Sequence, residues 1–220
     1  MKIVSLVNQK GGTGKSVLAI NLGIAAQAAG EKVCLVDLDP QGTVTNWFDI
    51  RTAETPAVVT HEKARDLTAT LAALKASRFT LVIIDTKGEE SHGTRGAMTA
   101  ADLCLIPIRP AGPDLHASRA TMEALLAMRR DFALVINQAT PNKAAKITTA
   151  VMTNLASSGT VLPVALAARM DFQYSYAVGQ GVLEFAPHSK ASEEINEVWA
   201  WCRKRMNKKG ISHDQQKLSA

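Results

Sequence analysis

The sequence predicts one α/β domain, a mostly parallel, twisted sheet with helices on both faces. Three observations lead there. Short runs rich in β-branched residues alternate with longer helical stretches, the order that builds βαβ crossovers. Those runs are almost continuously apolar rather than alternating, the pattern of strands buried on both faces. At 220 residues, 46% of them apolar, the chain is long enough to bury one sizeable core.

In chain order, residues 2–7 (KIVSLV) read as the first strand and 15–29 (KSVLAINLGIAAQAA) as a helix stopped by Gly30. Further strand-like runs fall at 32–37 (KVCLVD), 79–85 (FTLVIID), 102–108 (DLCLIPI), 132–137 (FALVIN) and 160–165 (TVLPVA). Helical stretches are expected at 62–76, 114–130 and 142–157. Near the C-terminus, Ile195, Val198, Trp199, Cys202 and Met206 share one helical face. A polar stretch follows Gly210 and is expected to fray, which leaves one domain over 1–209 and a flexible tail over 210–220.

Several classes drop out early. Cys34, Cys104 and Cys202 are too few and too scattered for a disulfide framework or a zinc site, and the first two lie inside apolar runs as core thiols do. Met1 leads straight into a strand without a basic-plus-apolar leader, and no apolar run approaches the roughly 20 residues that cross a bilayer. A cytoplasmic protein is expected. The net charge of +5 permits a nucleic-acid or anionic-membrane partner without demanding one.

The chemistry gathers where strands end, which is where open α/β sheets bind ligands. Residues 7–16 read VNQKGGTGKS. Gly11, Gly12 and Gly14 let backbone N–H groups approach phosphate oxygens, and the following helix adds its positive N-terminus. Lys15 would neutralise the β- and γ-phosphates, and Ser16 would bind Mg²⁺. A glycine-rich turn with chance lysines is the bland alternative, and the strand–loop–helix order weighs against it. The second strand ends in Asp37-Leu38-Asp39-Pro40-Gln41. Carboxylates at i and i+2 share one side of an extended chain. Beside a triphosphate, one can support Mg²⁺ and the other can orient a water; away from one they are a solvated turn. FTLVIID closes on Asp85, the position of the second magnesium element in P-loop NTPases.

Together, KGGTGKS, DLDPQ and IIDT resemble the ParA/MinD family of deviant Walker A P-loop ATPases, the SIMIBI class, in register to about residue 200. The lysine directly before the double glycine is that family's signature. The chain resembles the short form, with no helix-turn-helix domain expected ahead of the loop. The resemblance implies that residues 11–17, Gly11, Gly12, Thr13, Gly14, Lys15, Ser16 and Val17, cradle ATP. It implies that Lys10 reaches across an ATP-sandwich homodimer, a cation supplied in trans as an arginine finger is. Lys10, Lys15 and Asp39 become the catalytic set, with Asp39 on the water, and Ser16, Asp37 and Asp85 the Mg²⁺ set. Asn137 and the Pro163 region match adenine contacts. One departure stands out. The family usually has proline after the Asp-Thr of the third motif, and this chain has Lys87, then Gly88, Glu89 and Glu90. Lys87 reads either as a solvated switch-loop residue or as an additional phosphate or partner contact.

Family members bind a surface as ATP dimers and leave it when a partner stimulates hydrolysis. Here the apolar C-terminal face is expected to pack on the domain, leaving Arg203, Lys204, Arg205, Lys208 and Lys209 for DNA phosphates. Arg169 joins them by resemblance. The expected function is partition of a plasmid or chromosome on nonspecific DNA, in a nucleoid-associated state, with a small centromere-binding or adaptor protein as partner. The alternative is MinD-like positioning of another cargo, with membrane as the less favoured surface. A ligase or synthetase of the superfamily ranks below both, and the iron–sulfur branch lacks a second suitably placed cysteine.

Overall fold

Alternating strand residues enter opposite apolar layers, and this sorting builds the domain. The computed structural model describes residues 1–141, 149–150, 153 and 160–217, with side chains described as far as Lys208. Its seven strands are β1 (Lys2–Leu6), β2 (Val33–Asp37), β3 (Ala57–Val59), β4 (Leu81–Asp85), β5 (Leu103–Ile108), β6 (Phe132–Ile136) and β7 (Thr160–Val161). They form one sheet in the order β3-β2-β4-β1-β5-β6-β7, with every pairing parallel. Leu35, Ile83, Leu105 and Val135 face one layer, while their neighbours Cys34, Val82, Ile106 and Leu134 face the other. That is why the runs read as continuously apolar.

The first layer is closed by α1 (Lys15–Ala28) and by the long C-terminal helix, which counts as α8 (Lys190–Lys217). On α8, Ile195, Val198, Trp199, Cys202 and Met206 are all buried in this layer, so that face is not available to a membrane. Between them sit α2 (Thr43–Ile50), α6 (Met170–Ala177) and the short α7 (Val182–Phe185). The opposite face carries α3 (Leu67–Ala76), α4 (His92–Ala100) and α5 (Gly112–Ala127).

Several boundaries differ from the sequence reading for local reasons. The helix expected from 62 begins at Leu67, because Asp66 caps it by accepting from the Ala69 N–H at 2.9 Å. The strand expected over 160–165 pairs regularly only at Thr160–Val161, since Pro163 has no N–H to give the ladder. The helix expected over 142–157 lies mostly outside the described residues. α8 continues through Gly210 to Lys217, past the point where a frayed tail was expected; one glycine costs a helix only about 1 kcal/mol. No described helix is long and apolar enough to cross a membrane.

α2 was not foreseen, and it is held firmly. Trp47 is fully buried, and its indole N–H donates to the Gln180 carbonyl at 3.1 Å. Because α2 starts at the site described next, its anchoring matters beyond packing. Trp47→Ala is expected to destabilise the domain by about 3–5 kcal/mol, read as a fall in the urea midpoint with an unchanged slope. A loss below about 1 kcal/mol would show that α2 docks without this ring.

Candidate nucleotide-binding site

The sheet order reverses direction at β1, and the loop leaving β1 opens over that switch point. Register then brings three chain segments together. Asp85 pairs with Leu6 across β4 and β1 and with Asp37 across β4 and β2. Two carboxylates thus end adjacent strands directly beside the glycine loop.

The loop borders a cleft of about 650 Å³ whose walls include Gly11, Gly12, Lys15, Ser16, Asp39 and Lys87. Val17 lines it too, whereas Thr13 is fully buried beneath and offers the cleft no side chain. Gly14 takes φ 84°, and a Cβ there would run into the Asn137 amide, so only glycine fits. Asn137 donates to the Thr13 carbonyl at 2.8 Å and Gln138 to the Gly12 carbonyl at 3.3 Å, which ties β6 to the loop. A second cavity of about 640 Å³ adjoins the first through Gly14, Val17, Thr43 and Gln138. Its far wall is Leu166–Met170 with Phe172 and Tyr176, sized and apolar enough for a base. Asn137 lines it. Pro163 does not: it is exposed and outside the cavity, and the chain reaches the wall only three residues later, at Leu166.

The two lysines occupy different places. Lys15 is buried, and its ammonium donates to the carbonyls of Asn8 and Lys10, both at 3.3 Å. Burial lowers its pKa, against the pull of Asp85 and Asp39. Lys10 is not part of the cleft wall. Its ammonium pairs with Asp114 at the start of α5, a buried carboxylate that also takes Arg109 at 2.8 Å. Burial alone would raise the Asp114 carboxyl; Arg109 and Lys10 outweigh it and hold it below the usual carboxylate range. Neither Asp114 nor Arg109 belongs to a motif, so the sequence offered no signal for this contact.

Among the carboxylates, Asp37 is well satisfied. It accepts from the Asp39 N–H at 3.1 Å and from both the N–H and hydroxyl of Thr45 at 2.9 Å. Asp85 is not. Both of its oxygens are buried without a hydrogen-bond partner, and burial pushes its pKa up to about 7. Ser16 and Lys15 stand near enough to pull the value down somewhat, but Ser16 makes no well-formed bond to it. Native proteins rarely leave such a group unpaired. Among the described residues no three His, Cys, Asp or Glu side chains cluster as a metal cage. One orphaned carboxylate plus a hydroxyl is instead the sparse donor set that Mg²⁺ uses when phosphates and waters complete its shell. The residues present fit that ion.

On the other side of the molecule, Arg203, Lys204 and Lys208 of α8 are exposed. Arg205 is not free: it makes a two-pronged pair with Asp131 at 2.9 and 3.0 Å. Arg169 is likewise forked onto Glu194 at the rim of the second cavity. Both guanidinium groups are ion-paired within the domain. The side chain of Lys209 lies outside those described. The three thiols are buried and pushed up to about 12, which makes them inert.

The nucleotide-binding-domain family CbiA, described as CobQ/CobB/MinD/ParA nucleotide binding domain, matches residues 4–172. The chromosome partitioning protein ParA of Caulobacter vibrioides is 40% identical over 70 residues, 26% of this chain and 26% of that protein. The match thus spans about a quarter of that curated relative's length. Among solved structures, a chain of the MinC:MinD cell division protein complex of Aquifex aeolicus superimposes with a TM-score of 0.75 at 16% identity, covering 93% of this chain and 96% of the other. The septum site-determining protein MinD of Pyrococcus horikoshii, complexed with Mg-ADP, gives 0.71 at 17% identity, over 90% and 94%. At these identities the structural likeness speaks for the fold.

The state of Asp85 has a measurable consequence. Its folded pKa of about 7 stands well above the ordinary aspartate value of about 4, so the folded state holds an extra proton across that interval. Ligand-free stability contributed by this group therefore falls as pH rises from about 4 to 7 and levels off above. Asp85→Asn should be more stable than wild type at pH 8, by on the order of a few kcal/mol, with the difference closing toward pH 4. Thermal melts over a pH series check this, and parallel profiles for the two proteins would contradict it.

Proposed function

We infer that this chain, which belongs to the CobQ/CobB/MinD/ParA nucleotide-binding family, is a Mg²⁺-dependent ATPase that dimerises around ATP and uses nonspecific DNA as its working surface. In this reading it segregates a plasmid or chromosome, in a cytoplasmic, nucleoid-associated state, with a small partner protein that stimulates hydrolysis. The observation that carries it is the division of labour between the lysines. Lys15 is buried at the cleft floor, where a triphosphate's charge would sit, while Lys10 stands outside its own cleft on Asp114. A cation that does not serve its own site is suited to serve a partner's.

The chemistry follows from the residues. The backbone of 11–16 and Lys15 bind the phosphates and hold them away from bulk water. Ser16 and Asp85 would hold Mg²⁺, with Asp37 beside them; the ion supplies neutralisation of phosphate charge. Asp39 lines the cleft at the mouth of α2 and orients the attacking water. Lys10 from the second subunit stabilises the charge that develops on the transferred group. Hydrolysis is then slow in the monomer and coupled to dimerisation. The exposed Arg203, Lys204 and Lys208 form the DNA face; a two-fold dimer doubles it and makes the second engagement intramolecular.

Two outcomes test this. Lys10→Ala should bind ATP as a monomer and neither dimerise nor turn over, whereas Asp39→Ala should accumulate as an ATP-bound dimer. Sedimentation velocity with ATP separates them, and a Lys10→Ala protein that dimerises and hydrolyses ATP would remove the cross-subunit role. For the surface, log affinity for a random-sequence duplex should fall with log salt at about 0.9 per phosphate neutralised. Replacing Arg203, Lys204 and Lys208 by alanine should lower that slope by up to roughly three per subunit. Equal slopes in fluorescence anisotropy would take α8 out of the DNA site, and tighter ATP-dependent binding to anionic vesicles than to DNA would favour positioning on a membrane.

A further inference from the structure

We propose that Lys87 is a third cation of the phosphate site, one that contacts the terminal phosphate of ATP from within the same subunit after exchanging away from Glu89. This rests on the nucleotide reading above and adds to it a residue that neither the loop nor its signature lysine includes.

The backbone on both sides of Lys87 is fixed against the phosphate loop. Before it, the Thr86 hydroxyl donates to the Leu6 carbonyl at 2.8 Å and is fully buried. After it, Gly88 lies so close to the loop that a Cβ would stand 2.7 Å from the Gly11 nitrogen and 2.8 Å from its Cα. Both neighbours of Lys87 are therefore anchored, and its side chain lines the cleft with Lys15 and Asp39. The end of the cleft it occupies is identifiable. Gly14, Val17, Thr43 and Gln138 are shared with the base cavity, whereas Gly11, Asp39 and Lys87 are not. A nucleotide with its base in the second cavity must point its terminal phosphate toward that unshared end.

The Lys87 ammonium pairs with Glu89, two residues along. Glu89 is 67% exposed, so this pair is of the weak, screened kind. A terminal phosphate offers three acceptor oxygens and more charge than one solvated carboxylate, and charge-assisted bonds to it are the stronger ones. The exchange leaves Glu89 able to turn into solvent, so no buried charge is stranded. Because ADP lacks the terminal phosphate, Lys87 would return to Glu89 after hydrolysis. The lysine thus distinguishes the two nucleotides at a position where the resembled family pattern has a residue with no charge.

The test is the ratio of ATP to ADP affinity, measured by calorimetry in Mg²⁺ for wild type, Lys87→Met, Lys87→Arg and Glu89→Gln. Lys87→Met should weaken ATP about tenfold or more while ADP affinity stays within about twofold. Lys87→Arg should keep most of the preference, and Glu89→Gln, which frees the ammonium, should increase it. If wild type binds ATP and Lys87→Met leaves the ratio within twofold, the proposal is overturned and the parent reading stands. Equal weakening of ATP and ADP would also overturn it, as loss of loop packing. A wild type that binds neither nucleotide would overturn both.

Discussion

A buried carboxylate with nothing to bond is the constraint around which this domain is organised. Asp85 ends the strand next to β1, its oxygens unpartnered and its neighbours Asp37 and the ammonium of Lys15. The sheet order places it there: with β4 between β2 and β1, the carboxyl ends of all three converge on one point. Apolar strands supply the folding energy and deliver charged termini that the core itself cannot satisfy. Uncompensated buried charge is destabilising, and a cation beside Asp85 would relieve it. The site is read from that imbalance as much as from its glycine loop.

The same logic separates the two lysines. Lys15 sits where burial opposes its charge and nearby carboxylates restore it. Lys10 sits on Asp114, which Arg109 also holds. Since Arg109 remains on Asp114, departure of Lys10 would not leave a bare carboxylate in the protein interior. The pairing can therefore hold Lys10 at little cost to its release. On the opposite rim, Glu194 of α8 takes both Arg169 and the Ala167 N–H, so the helix bearing the exposed basic residues also fixes the wall of the second cavity.

What the sequence disclosed was whatever is local. The glycine loop, the aspartates that close β2 and β4, and the apolar stripe of α8 are each encoded within a dozen residues, and the structure places them as their spacing implies. What it withheld is either weakly encoded locally or set by distant chain. α4 (HGTRGAMTA) has two glycines and little helix propensity; a Ser91 cap and its neighbours make it helical. α2 lies in a stretch read only for its carboxylates, and β3 is too short to stand out at three residues. Asp114 meets Lys10 only because β5 lies beside β1. Arg169 and Arg205 look like surface cations until Glu194 and Asp131, 25 and 74 residues away, arrive beside them. Pro163 failed as a cavity residue because a proline ends regular pairing before the chain reaches the wall.

Calorimetric titration of ATP into the wild-type protein in Mg²⁺, with Lys15→Ala alongside, tests whether a nucleotide held on Lys15 completes the cleft over β1, β2 and β4. Saturable binding at one site per chain is expected, weakened by at least about tenfold, the equivalent of about 1.5–3 kcal/mol, in the variant. Heats no larger than dilution in wild type, or the same affinity with and without the lysine, would contradict it.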